Sequence, residues 1–394
     1  MEEGRNRNIK KRVCGTTTQK SERKSVDNQF EIFLEKYPNS RIFSCLATIF
    51  MTKFRTHLIV GKKEADKIKQ LQVPNITLEL VPEPSNCYWE SKDGKSSSIS
   101  YGGRDPHTIR EDEIPMNELL IEAADEAVCQ DFLSVVQGGM LLAYPDASII
   151  HNFIFTTEYD SSKNYIYSDK NFFSYLKKFD DTAFGCLIAE KTIKDNQLVY
   201  AIEKYKTSIG LTSFNPRSAD PRYGQVFDHY DVKREYHTKA AFALISAFSA
   251  IEELGLEVRS SQKRPRFTNP ENGEWNPDVL ADIQKRLNES NIPNDMTFDW
   301  IYRGTPTRIE QEIKPYFGFD SEWTKYGEAV RDKTLTMPEA IHNASYLRNF
   351  IAAHKFNELT QYISPYDVFN VQALVREIIL NKLNLWQTML DRNK

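Results

Sequence analysis

The spacing of apolar and polar positions divides the chain into a mixed first half and a mostly helical second half. Residues 42–51 and 54–60, rich in β-branched and aromatic side chains and separated by a short polar break, predict two strands; residues 76–81 predict a third that ends at Pro82. Residues 83–115, dense in Pro, Ser, Gly and Asp, predict a long loop or loosely structured insertion. Residues 116–142 predict a helix around Leu119, Leu120, Ala123, Ala124, Ala127, Val128 and Phe132, before Gly138-Gly139. Strands are predicted again at 149–157, 184–189 and 198–205, so this half is α+β by its order of elements.

The second half reads differently. Residues 236–255 form a long, Ala-rich, largely apolar run with Gly255 as its stop, which predicts a helix. Ser364-Pro365 opens a last helix with Val368, Val371, Val375, Ile378, Ile379, Leu383, Trp386 and Leu390 as a broad apolar stripe. Between them lies an insertion, residues 259–335, with a helix from Asn276-Pro277 to about Leu287, further helices at 308–313 and 322–331, and Trp275, Trp300, Tyr302 and Trp323 to pack them against the bundle. The division that follows is a disordered basic tail at 1–27, an α+β domain at 28–213, a Pro-, Gly- and Arg-bearing linker at 214–230, and a helical domain at 231–394.

Composition narrows the function classes. A net charge of −4 with 27% charged residues gives no global basic field, so any RNA contact must come from local patches. One such patch is the tail; another is Arg259, Lys263, Arg264 and Arg266, which either form a solvated loop or track a phosphate backbone. The five cysteines are scattered with no C-x-x-C pair, the pattern of a reduced, cytoplasmic protein. No apolar run approaches the ~20 residues of a membrane span. The stretch Gly15 to Ser21 lacks the second Gly and the preceding strand of a phosphate loop, and G-x-S-x-G, H-E-x-x-H and zinc spacings are absent from the sequence. Asp180-Asp181 has no matching ligand cluster nearby and reads as a solvated turn, so neither a metal nor a cofactor is expected.

The chemistry-bearing stretch is Tyr346-Leu347-Arg348-Asn349-Phe350-Ile351-Ala352-Ala353-His354, a helical run with three polar groups that packing does not require. Arg222 and His229 have a similar spacing, but Pro221, Gly224 and the lack of a polar residue after Arg222 place them in a loop. Arg348, Asn349 and His354 resemble the R-N-x(4)-H signature of the HEPN family. The 236–255 helix, ending in Ala-Ile-Glu-Glu-Leu, resembles the family's first helix, which often carries an acidic residue facing the active groove, here Glu252. The resemblance covers roughly the C-terminal two-fifths of the chain. It implies an all-α HEPN-like bundle with an inserted helical subdomain, a metal-independent endoribonuclease that leaves cyclic phosphate ends, a homodimer with the motifs facing one another, and a defence or toxin-antitoxin setting in which the α+β domain senses a trigger ligand or protein.

The residue types suit that chemistry. RNA carries its own nucleophile in the 2′-OH, so a proton-transfer group and a cation for the phosphate suffice. His, with an ordinary pKa near ~6.5, exchanges protons at neutral pH, and Arg offers a planar fork of donors to phosphate oxygens. On a straight α-helix Arg348 and His354 lie about 120° and about 9 Å apart, so something further must complete the site; the resemblance implies that a second protomer does. Two other readings stay open: a noncatalytic nucleotide-binding or protein-docking HEPN-like module, and an unrelated enzyme in the N-terminal half.

Overall fold

The computed structural model describes residues 51–60, 62–82, 88–91, 97–99, 113–115, 117–145, 157–158, 179–214, 234–303, 330–352 and 363–392. Elements are numbered over these residues. Strand β1 (Thr52–Val60) buries Phe54, Leu58 and Val60 and pairs antiparallel with β6 (Asn117–Ala123), in register Phe54 to Ile121 and Val60 to Asn117, with a shift between Arg55 and Ile59. With β2 (Thr77–Pro82) and β7 (Thr157–Glu158) they make a sheet of order β2-β6-β1-β7. Arg55 and Glu118, buried at the shift, hold each other as an ion pair, with Nε 2.9 Å from one carboxylate oxygen. Helix α1 (Lys62–Lys69) follows β1 and buries Ala65 and Ile68.

Helices carry most of the remaining chain. Asp125 caps α2 (Glu126–Ala143) by accepting from Val128 N–H. This helix packs against α3 (Phe179–Thr192) at close range through glycine. A Cβ on Gly139 would stand 2.9 Å from the Gly185 Cα, and one on Gly185 would stand 2.5 Å from the Val136 carbonyl oxygen. Helix α4 (Asn196–Leu211), capped by Asp195, then packs along α5 (Arg234–Glu253). Leu256 N–H bonds back to the Ile251 carbonyl, and Gly255 takes φ +68 at the exit, a left-handed stop that glycine adopts without a Cβ penalty.

After α5 the chain makes a short hairpin of β8 (Phe267–Asn269) and β9 (Glu274–Trp275), then α6 (Pro277–Glu289), then β10 (Thr297–Arg303) paired antiparallel with β11 (Val330–Thr336). Helix α7 (Met337–Tyr346) continues into a π-helical segment, Leu347–Ala352. Ser364 and Asp367 form a capping box that opens α8 (Pro365–Lys382), and a short α9 (Trp386–Arg392) ends the described chain. Thr52–Lys394 constitute one compact unit. Helices on both sides of the expected linker share one core: Ser208 donates to the Ala243 carbonyl at 2.8 Å, and Gln372 donates to Ser208 at 2.9 Å.

The described chain is thus mostly helical with a few small sheets, and several elements differ from expectation. Residues 117–123 are strand rather than the start of a helix, because the Asp125 cap begins the helix only at Glu126. The expected strands at 184–189 and 198–205 are parts of α3, buried on several faces, and of α4, buried along one stripe. Within 83–115, the expected loop, Tyr88–Ser91, Ser97–Ile99 and Glu113–Pro115 are the strands β3, β4 and β5 of a three-stranded antiparallel sheet. The insertion is not a helical subdomain among its described residues, since the antiparallel strand pairs β8–β9 and β10–β11 flank its one described helix and residues 330–331 are strand. The long last helix is two helices, broken where Asn384 turns left-handed at φ 57 and Leu385 N–H bonds back to the Leu380 carbonyl. Asp180-Asp181 lie in the first turn of α3, not on a turn. The tail, the strand at 42–50, nearly all of 149–157, the linker after Phe214, the helix at 308–313, and Trp323 lie outside the described residues.

Candidate functional site

The motif's own backbone departs from a regular helix. Its first residues, Arg348 and Asn349, belong to the π segment, where i→i+5 bonding widens the turn; such segments are frequent at functional sites. The rotation of 100° per residue assumed for a straight α-helix therefore does not apply across 347–352. His354 lies outside the described residues, as do Arg222 and His229.

Arg348 reaches the end of α5. Its Nη2 stands 3.6 Å from a carboxylate oxygen of Glu252, with the side chains 32% and 35% exposed, so the pair is open to solvent. Nη1 donates to Asn349 Oδ1 at 2.7 Å, and Asn349 Nδ2 donates to Ser345 Oγ at 3.2 Å. These contacts engage both Nη atoms of the guanidinium, while its Nε is buried and hydrogen-bonded to no other group. Three residues singled out in sequence, Glu252, Arg348 and Asn349, are brought together across almost a hundred positions. Ser345 was missed, although its spacing of four from Asn349 on a helix was a usable signal.

The basic patch is divided by the fold. Arg264 donates to the Asp278 carbonyl, and Arg266 Nη1 lies 2.6 Å from His342 Nδ1. Arginine only donates, so Nδ1 accepts and the imidazole is the neutral tautomer protonated on Nε2. Phe267 and Trp275 stand edge-on to the His342 ring, at centroid distances of 5.0 and 6.2 Å. Burial, aided by the Arg266 charge, pushes the His342 pKa down to about 3. Arg259 and Lys263 are exposed, Arg259 beside Glu257 at 2.6 Å. Arg286 reaches the Gly255 and Glu257 carbonyls, which anchors α6 to the end of α5.

Cys129 and Cys186 are buried free thiols whose pKa values burial raises to about 12, so neither is a poised nucleophile. Among the described residues no group of three or more His, Cys, Asp and Glu could hold a metal ion, and no helix is long and apolar enough to cross a membrane. Comparison of the chain with protein-family models, curated proteins and solved structures finds no match.

Proposed function

We propose that this protein is a metal-independent endoribonuclease of HEPN type, built on a HEPN-like bundle and gated by its N-terminal part in a defence or toxin-antitoxin role. One observation carries the reading: Arg348 contacts Glu252 and Asn349, two residues that the motif and the first-helix resemblance single out, on a π-helical segment with solvent access. Arg348 would bind the scissile phosphate and stabilise charge on its oxygens. His354 would move the proton of the 2′-OH or of the leaving oxygen. Asn349 and Glu252 are positioning residues, since they act on Arg348. The protein is incubated with mixed cellular RNA in excess EDTA, and the ends are analysed. Cleavage with 2′,3′-cyclic phosphate ends supports the reading; activity that needs added magnesium overturns it.

The same geometry favours one alternative. An arginine engaged by both a carboxylate and an amide also suits a noncatalytic nucleotide-binding or docking module, which would bind without cutting. The catalytic reading further implies a homodimer in which two motif segments form one groove. Mixing His354→Ala subunits with wild type should lower activity by more than dilution once subunits exchange. A linear decline, with a monomeric mass for the active species, would remove the composite groove.

A further inference from the structure

A second site stands apart from Arg348, where the C-terminal end of α2, helices α4 and α8, strand β10 and helix α9 enclose a cavity of about 770 Å³. That size falls in the usual range for small-molecule sites. Gln372 on its wall bonds Ser208, which bonds the Ala243 carbonyl; from Ala243 to Glu252 helix α5 rises roughly 13 Å, so the cavity is separate from the Arg348 cluster.

Its charges do not cancel. Arg376 is the cation on the wall, but its Nε and Nη2 donate to the Leu142 and Ala143 carbonyls at 2.6 and 3.0 Å, and its guanidinium lies 5.9 Å from the Trp386 ring centre. It therefore neutralises the end of α2 and stacks on Trp386. Glu377, next in sequence, is only 9% exposed and lines the cavity. Its carboxyl forms no hydrogen bond or ion pair among the described residues. Asp299 on β10 adds a second carboxylate, held by Thr334 Oγ1 at 2.9 Å. Trp386, Tyr144 and Phe214 supply aromatic walls.

We propose that this cavity binds a small organic cation carrying a primary ammonium group. Glu377 accepts its N–H donors, Asp299 adds negative potential, and the aromatic walls take its apolar body. The Glu377 carboxyl is nearly buried and takes no hydrogen bond from the described residues; a bound ammonium supplies both a charge and hydrogen bonds. Burial, opposed by Arg376 and assisted by Asp299, raises the Glu377 pKa to about 7. Among the described residues, the titratable or charged groups around it are Asp299 from β10, Arg376 on its own helix, Tyr205 from α4 and Tyr144 after α2. A cation prefers the ionised carboxylate, so its binding releases a proton and tightens as pH rises through 7. Residues from both sides of positions 214–230 line the cavity, which makes it a place where a trigger ligand would touch both.

The test is calorimetric titration of the full chain with spermidine, cadaverine and choline at pH 6 and pH 8. Saturable binding of the primary amines, tighter at pH 8 and weakened about tenfold or more by Glu377→Gln, supports the site. Asp299→Asn, on an exposed strand position, should weaken it less and guards against misfolding of the first variant. Absence of saturable binding, choline binding alone, or amine binding indifferent to both substitutions overturns the proposal. RNA cleavage plays no part in these readouts, so failure here is distinguishable from failure of the ribonuclease reading.

Discussion

Arg266 bonds to α7 and Arg348 sits on its π continuation, and the fold uses them in opposite ways. Arg266 donates to a buried, neutral imidazole enclosed by Phe267 and Trp275, and joins the β8–β9 hairpin to α7. Arg348 faces a carboxylate with about a third of each side chain exposed, and its contacts run through Asn349 and Ser345. In the first setting the charge is used to satisfy a buried acceptor. In the second, packing gains little from the charge, since exposed ion pairs contribute at most about 1 kcal/mol. On the proposed reading, Arg348 is held there for the phosphate it would bind.

The two arginines should therefore separate activity from stability. Arg348→Ala and His354→Ala should each cut RNA cleavage by about 100-fold or more while leaving the melting curve nearly unchanged, the loss typical of removing a charge-stabilising or proton-transfer group. Single-turnover cleavage beside circular dichroism reads both quantities. Full cleavage by either variant would end the assignment.

His342→Ala should do the reverse. Removing a buried ring packed on two aromatics leaves a cavity and strips Arg266 of its acceptor, for a loss of about 2–4 kcal/mol, read as a drop of several degrees in melting temperature. The pH dependence carries a sign. With the folded pKa near 3 and the ordinary value near 6.5, the unfolded chain takes up the proton first, so this contribution is complete above pH 6.5 and is lost as pH falls towards 3. The wild-type melting temperature should fall across that window, and a His342→Phe variant should show a shallower fall. Equal slopes would mean that His342 is not the acid-sensitive group.

How much of this was legible depends on the kind of signal. Helix α5 was readable because a long Ala-rich run ends at Gly255, and the start of α8 because Ser364, Pro365 and Asp367 spell a capping box. The α3 and α4 segments were misread as strands because short apolar runs look alike in either state. Yet Leu198, Ala201, Ile202, Tyr205 and Ile209, all buried on α4, already showed the helical spacing. That Glu252 faces the motif's groove was expected only through family resemblance, and its pairing with Arg348 was not expected, since no local pattern joins residues so far apart. Neither the π segment nor the Arg266–His342 contact has a sequence signature: one depends on how the chain bends under tertiary packing, the other on which long side chain reaches a buried ring. The Glu377 cavity was invisible for the same reason, being assembled from five elements.

Between the two extremes stands Glu252. If it serves to orient Arg348, Glu252→Gln should keep a hydrogen-bond acceptor and lose the charge, lowering the cleavage rate by about tenfold at saturating RNA with little change in affinity. Glu252→Ala should cost more. An affinity loss with an unchanged rate would instead make Glu252 a guard against non-substrate anions rather than a positioning residue.

The smallest effects should come from the exposed half of the basic patch, and they test whether RNA crosses it at all. Lys263 projects into solvent, and Arg259 is exposed beside Glu257, whereas Arg264 and Arg266 are committed to the Asp278 carbonyl and His342. If a single strand tracks over this face, Lys263→Ala removes one phosphate contact and reduces the slope of log affinity against log salt by about 0.7. Arg259→Ala should change it less, because Arg259 must give up the Glu257 carboxylate before it takes a phosphate. Arg264→Ala should leave the slope alone and lower the melting temperature instead. Fluorescence anisotropy of a labelled single strand over a salt series measures all three. Identical slopes for wild type and the Lys263 and Arg259 variants would confine RNA to the Arg348 groove and leave this loop as a solvated face.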